Sequence, residues 1–342
     1  MRYIGGKTLM LDRIGAVLRE NTADVRTVAD VFAGSGVVSR FFKQAGLQVF
    51  SNDFLYFSYV LSRGTLCLNA EPDFSKLGVG DPIAYLNRLT PEESGIDAED
   101  CFIYQNYSPN DHCRRMYFQN QNALKIDVVR QTIERWREQG RISEDGYFYL
   151  LAALIAAVPY VSNIAGVYGA YLKYWDARSF HPLTLERPEL IPSAVRARAY
   201  QEDALALAGH LRADAAYLDP PYNARQYLPN YHVLETVARY DRPPLRGVTG
   251  MRPYADQRSA YCIRTQAEQA FRQLFEALSV RYLLVSYNNE GLLSTEAMTR
   301  ALCACGKAET FRLYEYDYRR YKNKIPNNQA GLKEQIYFIE KR

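Results

Sequence analysis

The chain has 342 residues, with 42 Lys and Arg against 38 Asp and Glu, 28 tyrosines and six cysteines. That length suits one large α/β domain or a catalytic domain carrying an inserted module, and the small basic surplus leans only slightly toward a polyanionic partner. The most apolar run, Tyr147 to Val158, is too short for the ~20 residues a bilayer demands. Met1 to Lys7 has no leader-like apolar stretch, and irregularly spaced cysteines suit free thiols, so a cytoplasmic protein without membrane contact is expected.

The first element is a β-branched run over residues 25–31, which reads as a buried strand. It ends at the turn Gly34-Ser35-Gly36. A helix should follow, with Val37, Val38, Phe41, Phe42 and Ala45 at helical spacing, closed by Gly46. Leu47 to Ser51 is the next strand and stops at Asn52-Asp53, completing a βαβ unit. Residues 67–185 then lose strand-helix alternation and become rich in Tyr, Asn and Arg. The buried-helix pattern at 145–157 gives this stretch a core of its own, so it is read as an inserted, mainly helical module.

Alternation returns with Ala215 to Leu218, a strand that must end at Pro220. Residues 266–279 predict a helix with Ala267, Ala270, Phe271, Leu274, Phe275 and Leu278 on one face, and Thr265 with Glu268 predicts a capping box. Arg281 to Tyr287 is a further strand. Alternating Tyr314, Tyr316 and Tyr318, then Ile336 to Ile339, suggest a closing pair.

Gly34-x-Gly36 after a strand, with Asp53 about 20 residues on at the end of the next, follows the logic of an adenosine-cofactor site. The glycines admit the ligand to the backbone, and the carboxylate can accept from both ribose hydroxyls. A tight turn beside a surface aspartate is the plain alternative. Ser39 stands where a third glycine would complete a pyrophosphate fingerprint, which tilts the cofactor away from a dinucleotide.

Asp219-Pro220-Pro221-Tyr222 is more specific. Two prolines stiffen the backbone just past a strand's carboxyl end, aiming Asp219 and a prolyl carbonyl at one point. A purine's exocyclic amine is a poor nucleophile because its lone pair is delocalised. Two acceptors gripping its N–H groups favour the pyramidal form, and Tyr222 can stack on the base. The arm from Arg239 to Arg264 carries six arginines against Asp241 and Asp256, which suits a flexible loop on phosphates. Tyr318 to Lys324 interleaves aromatic and basic groups and could grip nucleic acid or form a hairpin tip. In the insert, Arg114, Arg115, Lys125, Arg130, Arg135 and Arg137 are interrupted by acids, so a mixed solvated face is equally open. Cys303-Ala304-Cys305 is too tight for a zinc pair, and no metal is expected.

Arg2-Tyr3-Ile4-Gly5-Gly6-Lys7, Asp30-Val31-Phe32-Ala33-Gly34-Ser35-Gly36, Asn52-Asp53 and Asp219-Pro220-Pro221-Tyr222, in that order, resemble the Dam-like adenine-N6 DNA methyltransferases. The stretches Tyr104 to Pro109, Ser162 to Tyr171 and Ser286 to Gly291 resemble more narrowly the FokI-type modification methylases. The resemblance spans nearly the whole chain and implies that Tyr3, Lys7, Phe32, Gly34, Gly36 and Asp53 surround S-adenosylmethionine. It further implies that Asp203 meets the cofactor's adenine amine. Val31 departs from it, a proline being usual there, which leaves the local turn geometry open.

The expected fold is therefore a doubly wound, Rossmann-like methyltransferase sheet. Residues 1–66 and 186–342 would form the catalytic domain and 67–185 an inserted target-recognition domain. The expected activity is methylation of adenine N6 in duplex DNA, with Asp219, Pro220, Pro221 and Tyr222 catalytic, S-adenosylmethionine as cofactor and a restriction endonuclease as a further partner. N4 methylation of cytosine and methylation of RNA or protein amides are rivals, in which Ser or Asn usually leads the tetrapeptide. A catalytically dead DNA-binding regulator is the rival of another class. Target sequence, endonuclease partner and oligomeric state are not written in the order of residues.

Overall fold

The structure, a computed structural model, describes residues 6–317 and 331–342. Tyr3, the Tyr318 to Lys324 stretch, and Asn327 and Asn328 lie outside them. The described strands are β1 (Thr27–Asp30), β2 (Gln48–Asn52), β3 (Arg198–Tyr200), β4 (Arg212–Leu218), β5 (Ser279–Asn288), β6 (Arg312–Asp317) and β7 (Lys333–Glu340). The helices are α1 (Leu11–Asn21), α2 (Val37–Gln44), α3 (Tyr56–Leu61), α4 (Pro82–Arg88), α5 (Pro91–Ser94), α6 (Phe102–Tyr107), α7 (Asn120–Glu138) and α8 (Glu144–Ala157). After β3 come α9 (Ala204–Ala208), α10 (Leu228–Arg239), α11 (Arg264–Ala277) and α12 (Thr295–Cys305).

All the described strands join one sheet in the order β3-β2-β1-β4-β5-β7-β6. The first five are parallel, and β7 enters antiparallel between β5 and β6. Period-two alternation divides the side chains. Val28, Tyr217, Leu284 and Phe338 meet α1 and α2 on one face, and Ala29, Ala216, Leu283 and Ile339 meet α9, α11 and α12 on the other. The sheet is thus covered on both sides, as parallel strands require.

Residues 67–185 contain helices and no strand. Their core is not confined to that segment, because the same apolar cluster runs from Leu55, at the N-cap of α3, to Leu228, Leu234 and Ala238 on α10. Inward-turned charges satisfy the helix ends there. Arg130 donates to the last carbonyls of α10 at Val237 and Ala238, 3.1 and 3.3 Å away, and Lys125 donates to Leu86 and Asn87 at the end of α4. Neither side chain is part of a solvated or nucleic-acid-binding face. Buried Asp127 accepts from the N–H groups of Ile103 and Tyr104 at the start of α6.

One local expectation needs correction. The helix at Arg264–Ala277 forms, but Ile263 occupies its N-cap with no side-chain hydrogen bond, so Thr265 and Glu268 make no capping box. Thr265 already sits inside the first turn, two residues past the position where a hydroxyl could cap. The turn after α3 is a wide one, Cys67 N–H bonding to Ser62 carbonyl, and carries Gly64 against α8. A β-carbon on Gly64 would lie 2.2 Å from the Phe148 carbonyl oxygen and 2.5 Å from Ala152. Gly64→Ala should therefore pry α8 from the sheet connection and lower stability by roughly 3 kcal/mol, read as an earlier urea midpoint with unchanged slope.

Candidate active site

In the chain order β1 leads outward to β2 and β3 before the chain returns to lay β4 on β1's other side. This is a topological switch point, where open sheets hold ligands at their strands' carboxyl ends. A cleft of about 920 Å³ opens there, lined among others by Lys7, Asp30, Phe32, Gly34, Asp53, Asp203, Asp219 and Pro221.

The glycine turn forms as the spacing implied. Gly34 and Gly36 take φ of 55° and 76°, the left-handed region that a side chain resists, and Gly36 caps α2. Val31 keeps the N–H a proline would lack and gives it to the Tyr217 carbonyl at 3.0 Å, binding the turn to β4. Asp53 braces the turn, accepting from Gly34 N–H at 2.7 Å and Leu55 N–H at 2.9 Å. Burial outweighs these hydrogen bonds and pushes its carboxyl up to about 6. Asp203 caps α9 through Oδ1 to the N–H groups of Leu205 and Ala206 while also lining the cleft.

Asp219 faces the cleft one residue past β4. Its Oδ1 accepts from the Tyr222 hydroxyl and lies 3.4 Å from the Lys7 ammonium. Lys7 also donates to Tyr222 and to Glu334, the latter at 3.1 Å, and lies 4.6 Å from the centre of the Tyr222 ring. Lys7 thus stands with the tetrapeptide. Burial alone would lower its pKa, but Asp219 and Glu334 outweigh burial and raise it. Burial raises the Asp219 carboxyl, with Lys7 and Tyr222 offsetting part. Pro220 is buried and Pro221 lines the cleft. Tyr222 leans edge-on against Tyr287 of β5, ring centres 5.3 Å apart, and its carbonyl accepts from Leu292 N–H. A β-carbon on Gly291 would lie 2.1 Å from the Tyr287 ring, so the Ser286 to Gly291 stretch works as a mould behind the tetrapeptide.

Sequence reasoning missed several residues. Asp30, fully buried, accepts from Ser39 at 2.6 Å through Oδ2 while Oδ1 has no partner among the described residues, and burial pushes it up to about 7. Ser39 occupies the third-glycine position because its hydroxyl is needed there. Tyr261 packs edge-on to Phe32 at 5.2 Å, and Gln257 and Ser259 line the cleft beside it. These come from the arm after α10, in which Arg246, Arg258 and Arg264 stay exposed while other arginines bond within the protein. Arg252 is buried on Asp241 at 2.6 Å, Arg239 pairs with buried Glu235, and Arg242 donates to the Asp100 carbonyl. Gln226 and Ser259 exchange two hydrogen bonds that pin the arm across the cleft.

The D12 class N6 adenine-specific DNA methyltransferase family matches residues 3–300. This chain belongs to that family. It is 44% identical to the type II methyltransferase M.FokI of Planomicrobium okeanokoites over all of this chain and 53% of the relative. It is 37% identical to the modification methylase StsI of Streptococcus sanguinis, again over the whole chain but 52% of the relative. The type II methyltransferase M.NlaIII of Neisseria lactamica is 38% identical over 94% of this chain and 92% of its own. The chain therefore spans about half the length of the first two. No described helix is long and apolar enough to cross a membrane.

Two acids of the cleft, Asp53 and Asp30, hold protons more tightly folded than unfolded. Their stabilising contribution is present below the unfolded value near 4 and lost as pH rises through about 6 for Asp53 and about 7 for Asp30. Carbon-13 titration of the carboxyls should show those midpoints, and Asp30→Asn should flatten the fall in melting temperature between about pH 4 and about pH 7.

Proposed function

We propose that this chain transfers a methyl group from S-adenosylmethionine to the N6 amine of adenine in duplex DNA, as the modification component of a cytoplasmic restriction-modification system. The observation that carries the reading is Asp219, a buried acceptor facing the same cleft as the Gly34 turn and Asp53. Asp30, Asp53, Glu202, Asp203 and Asp219 line that cleft against Lys7. This excess of carboxylate, with the unpartnered Oδ1 of Asp30, fits a ligand carrying cationic groups. Phe32 and Tyr261 offer aromatic walls to an adenine, and Asp53 faces the ribose position.

S-adenosylmethionine, when bound, supplies an electrophilic methyl on a sulfonium. Asp219 and a prolyl carbonyl would accept the two N–H groups of the extruded adenine, which would aim the N6 lone pair at the methyl that the cofactor supplies for the new N–C bond. The amine turns acidic only after that bond exists, and its proton then leaves to Asp219 or water. The donors and acceptors are fixed before the reaction, which favours the charge of the transition state over the ground state. Tyr222 must give up its hydrogen bond to Asp219 before it can stack on the base.

We assign target choice to residues 67–185. The loop from Ser162 to Asp176 is held rigid by Asn163, which bonds the Met116 and Leu172 carbonyls and Asp176 N–H. It rests on α10 through Tyr168 N–H to the Asn230 carbonyl and leaves Tyr174 exposed.

Asp219→Ala should abolish single-turnover methyl transfer while specific DNA and S-adenosylmethionine still bind, with wild-type product identified as N6-methyladenine by nucleoside mass spectrometry. Near-normal rates in a folded variant overturn the assignment. Asp53→Ala removes both a ribose acceptor and the brace on Gly34, so calorimetry should show cofactor binding weakened by at least ~1.5–3 kcal/mol.

A further inference from the structure

The Lys7 ammonium lies between two largely buried carboxylates that are far apart in the chain. Asp219 follows β4, and Glu334 lies on β7 with its side chain only 7% exposed. Lys7 is nearer Glu334, at 3.1 Å, than Asp219, at 3.4 Å. Both Lys7 and the Tyr222 hydroxyl address Oδ1 of Asp219, and among the described residues no hydrogen bond reaches Oδ2. Glu334 stands opposite Asn288 in the β5 pairing and Tyr316 in the β6 pairing, so two neighbouring strands fix its position.

We propose that Glu334 is a positioning residue for methyl transfer: from β7 it holds the Lys7 ammonium against one oxygen of Asp219, leaving the other free for the target amine. The inference rests on Asp219 being the acceptor named under the proposed function. Without Glu334 the ammonium has one carboxylate left. It re-centres on Asp219 and bridges both oxygens, since a cation between two anions relaxes toward whichever remains. The carboxylate then stays ionised but blocked, and its hydrogen bond to the amine competes with a full ion pair. Tyr222 shifts as well, because its hydroxyl receives from Lys7 and donates to Asp219.

The groups facing Asp219 set the sign of the pH effect. They are Lys7, Tyr222, Glu334, the buried Asp30 of β1, and the Tyr217 and Tyr227 hydroxyls. Removing the negative charge of Glu334 and drawing Lys7 closer both favour ionised Asp219, so the acid limb of the rate profile moves to lower pH. A role limited to holding β7 in place would leave that limb where it is.

The test is single-turnover and steady-state transfer to duplex DNA across pH, with product identity checked in the wild type. Glu334→Gln should lower kcat about tenfold, the size of one charge-assisted contact, leave KM for DNA and cofactor nearly unchanged, and move the acid limb down. Glu334→Asp, which keeps the charge, should restore most of kcat. An unchanged kcat in Glu334→Gln overturns the inference. So does a loss of kcat that comes with an unmoved acid limb and no recovery in Glu334→Asp. Wild-type production of N6-methyladenine keeps those failures separate from failure of the parent reading. Titration of the Lys7 Cε resonance decides the matter independently: in the Asp219→Asn background, adding Glu334→Gln should lower the ammonium midpoint, and an unmoved midpoint overturns the anchor.

Discussion

The site depends on one constraint, the parallel pairing of β1 with β4. Val28 stands opposite Ala215 and Asp30 opposite Tyr217, so the glycine turn and Asp219 leave the sheet at the same level. The pairing also fixes which side chains face each layer, because a slip of one residue would invert every side chain of the strand. Small Ala215 and Ala216 let α2 and α9 approach the sheet beside this pair. The cleft is what remains beyond the strand ends.

Around that edge a second buried group ties the walls together. Glu235 of α10, fully buried, accepts from the N–H groups of Tyr56 and Phe57, from Arg239 at 2.7 Å and from Gln257 at 3.0 Å. One carboxylate thereby caps α3, holds the end of α10 and anchors the arm that carries Tyr261 over the cleft. The helical layer and the cleft wall are consequently one packed body. Substitutions deep in that layer should be felt in the site through α10.

The sheet was legible because its signals are local. Periodicity placed β1, α2, β2, β5 and α11, and the proline pair marked the end of β4. What escaped the sequence was which polar residues turn inward. Arg130, Lys125 and Arg252 read as candidates for a polar face, yet each satisfies backbone carbonyls or an acid that only the tertiary structure brings near. Asp30 escaped because an acid at a strand end looks the same whether it caps, solvates or lines a cleft. Ser39 offered a signal that could have been read, since a hydroxyl in place of a glycine calls for a nearby acceptor. Glu334 offered none, its partner Lys7 being 327 residues away.

The cluster of Lys7, Asp219, Tyr222 and Glu334 makes poor sense as a device for stability. Burying three charges costs several kcal/mol for each ion, and the Coulomb gain commonly does little more than offset it. An apolar filling of the same volume would hold β4 to β7 at least as well. Removing one partner alone is worse than never having had the pair, at ~3–5 kcal/mol, because a charge is left stranded. Under the proposed function the cluster stands where charge would develop during methyl transfer, with a further carboxylate, Asp30, buried nearby. Its cost is therefore best understood as the cost of a fixed electrostatic environment, in which the orientation of Asp219 is settled by the fold before any target base arrives.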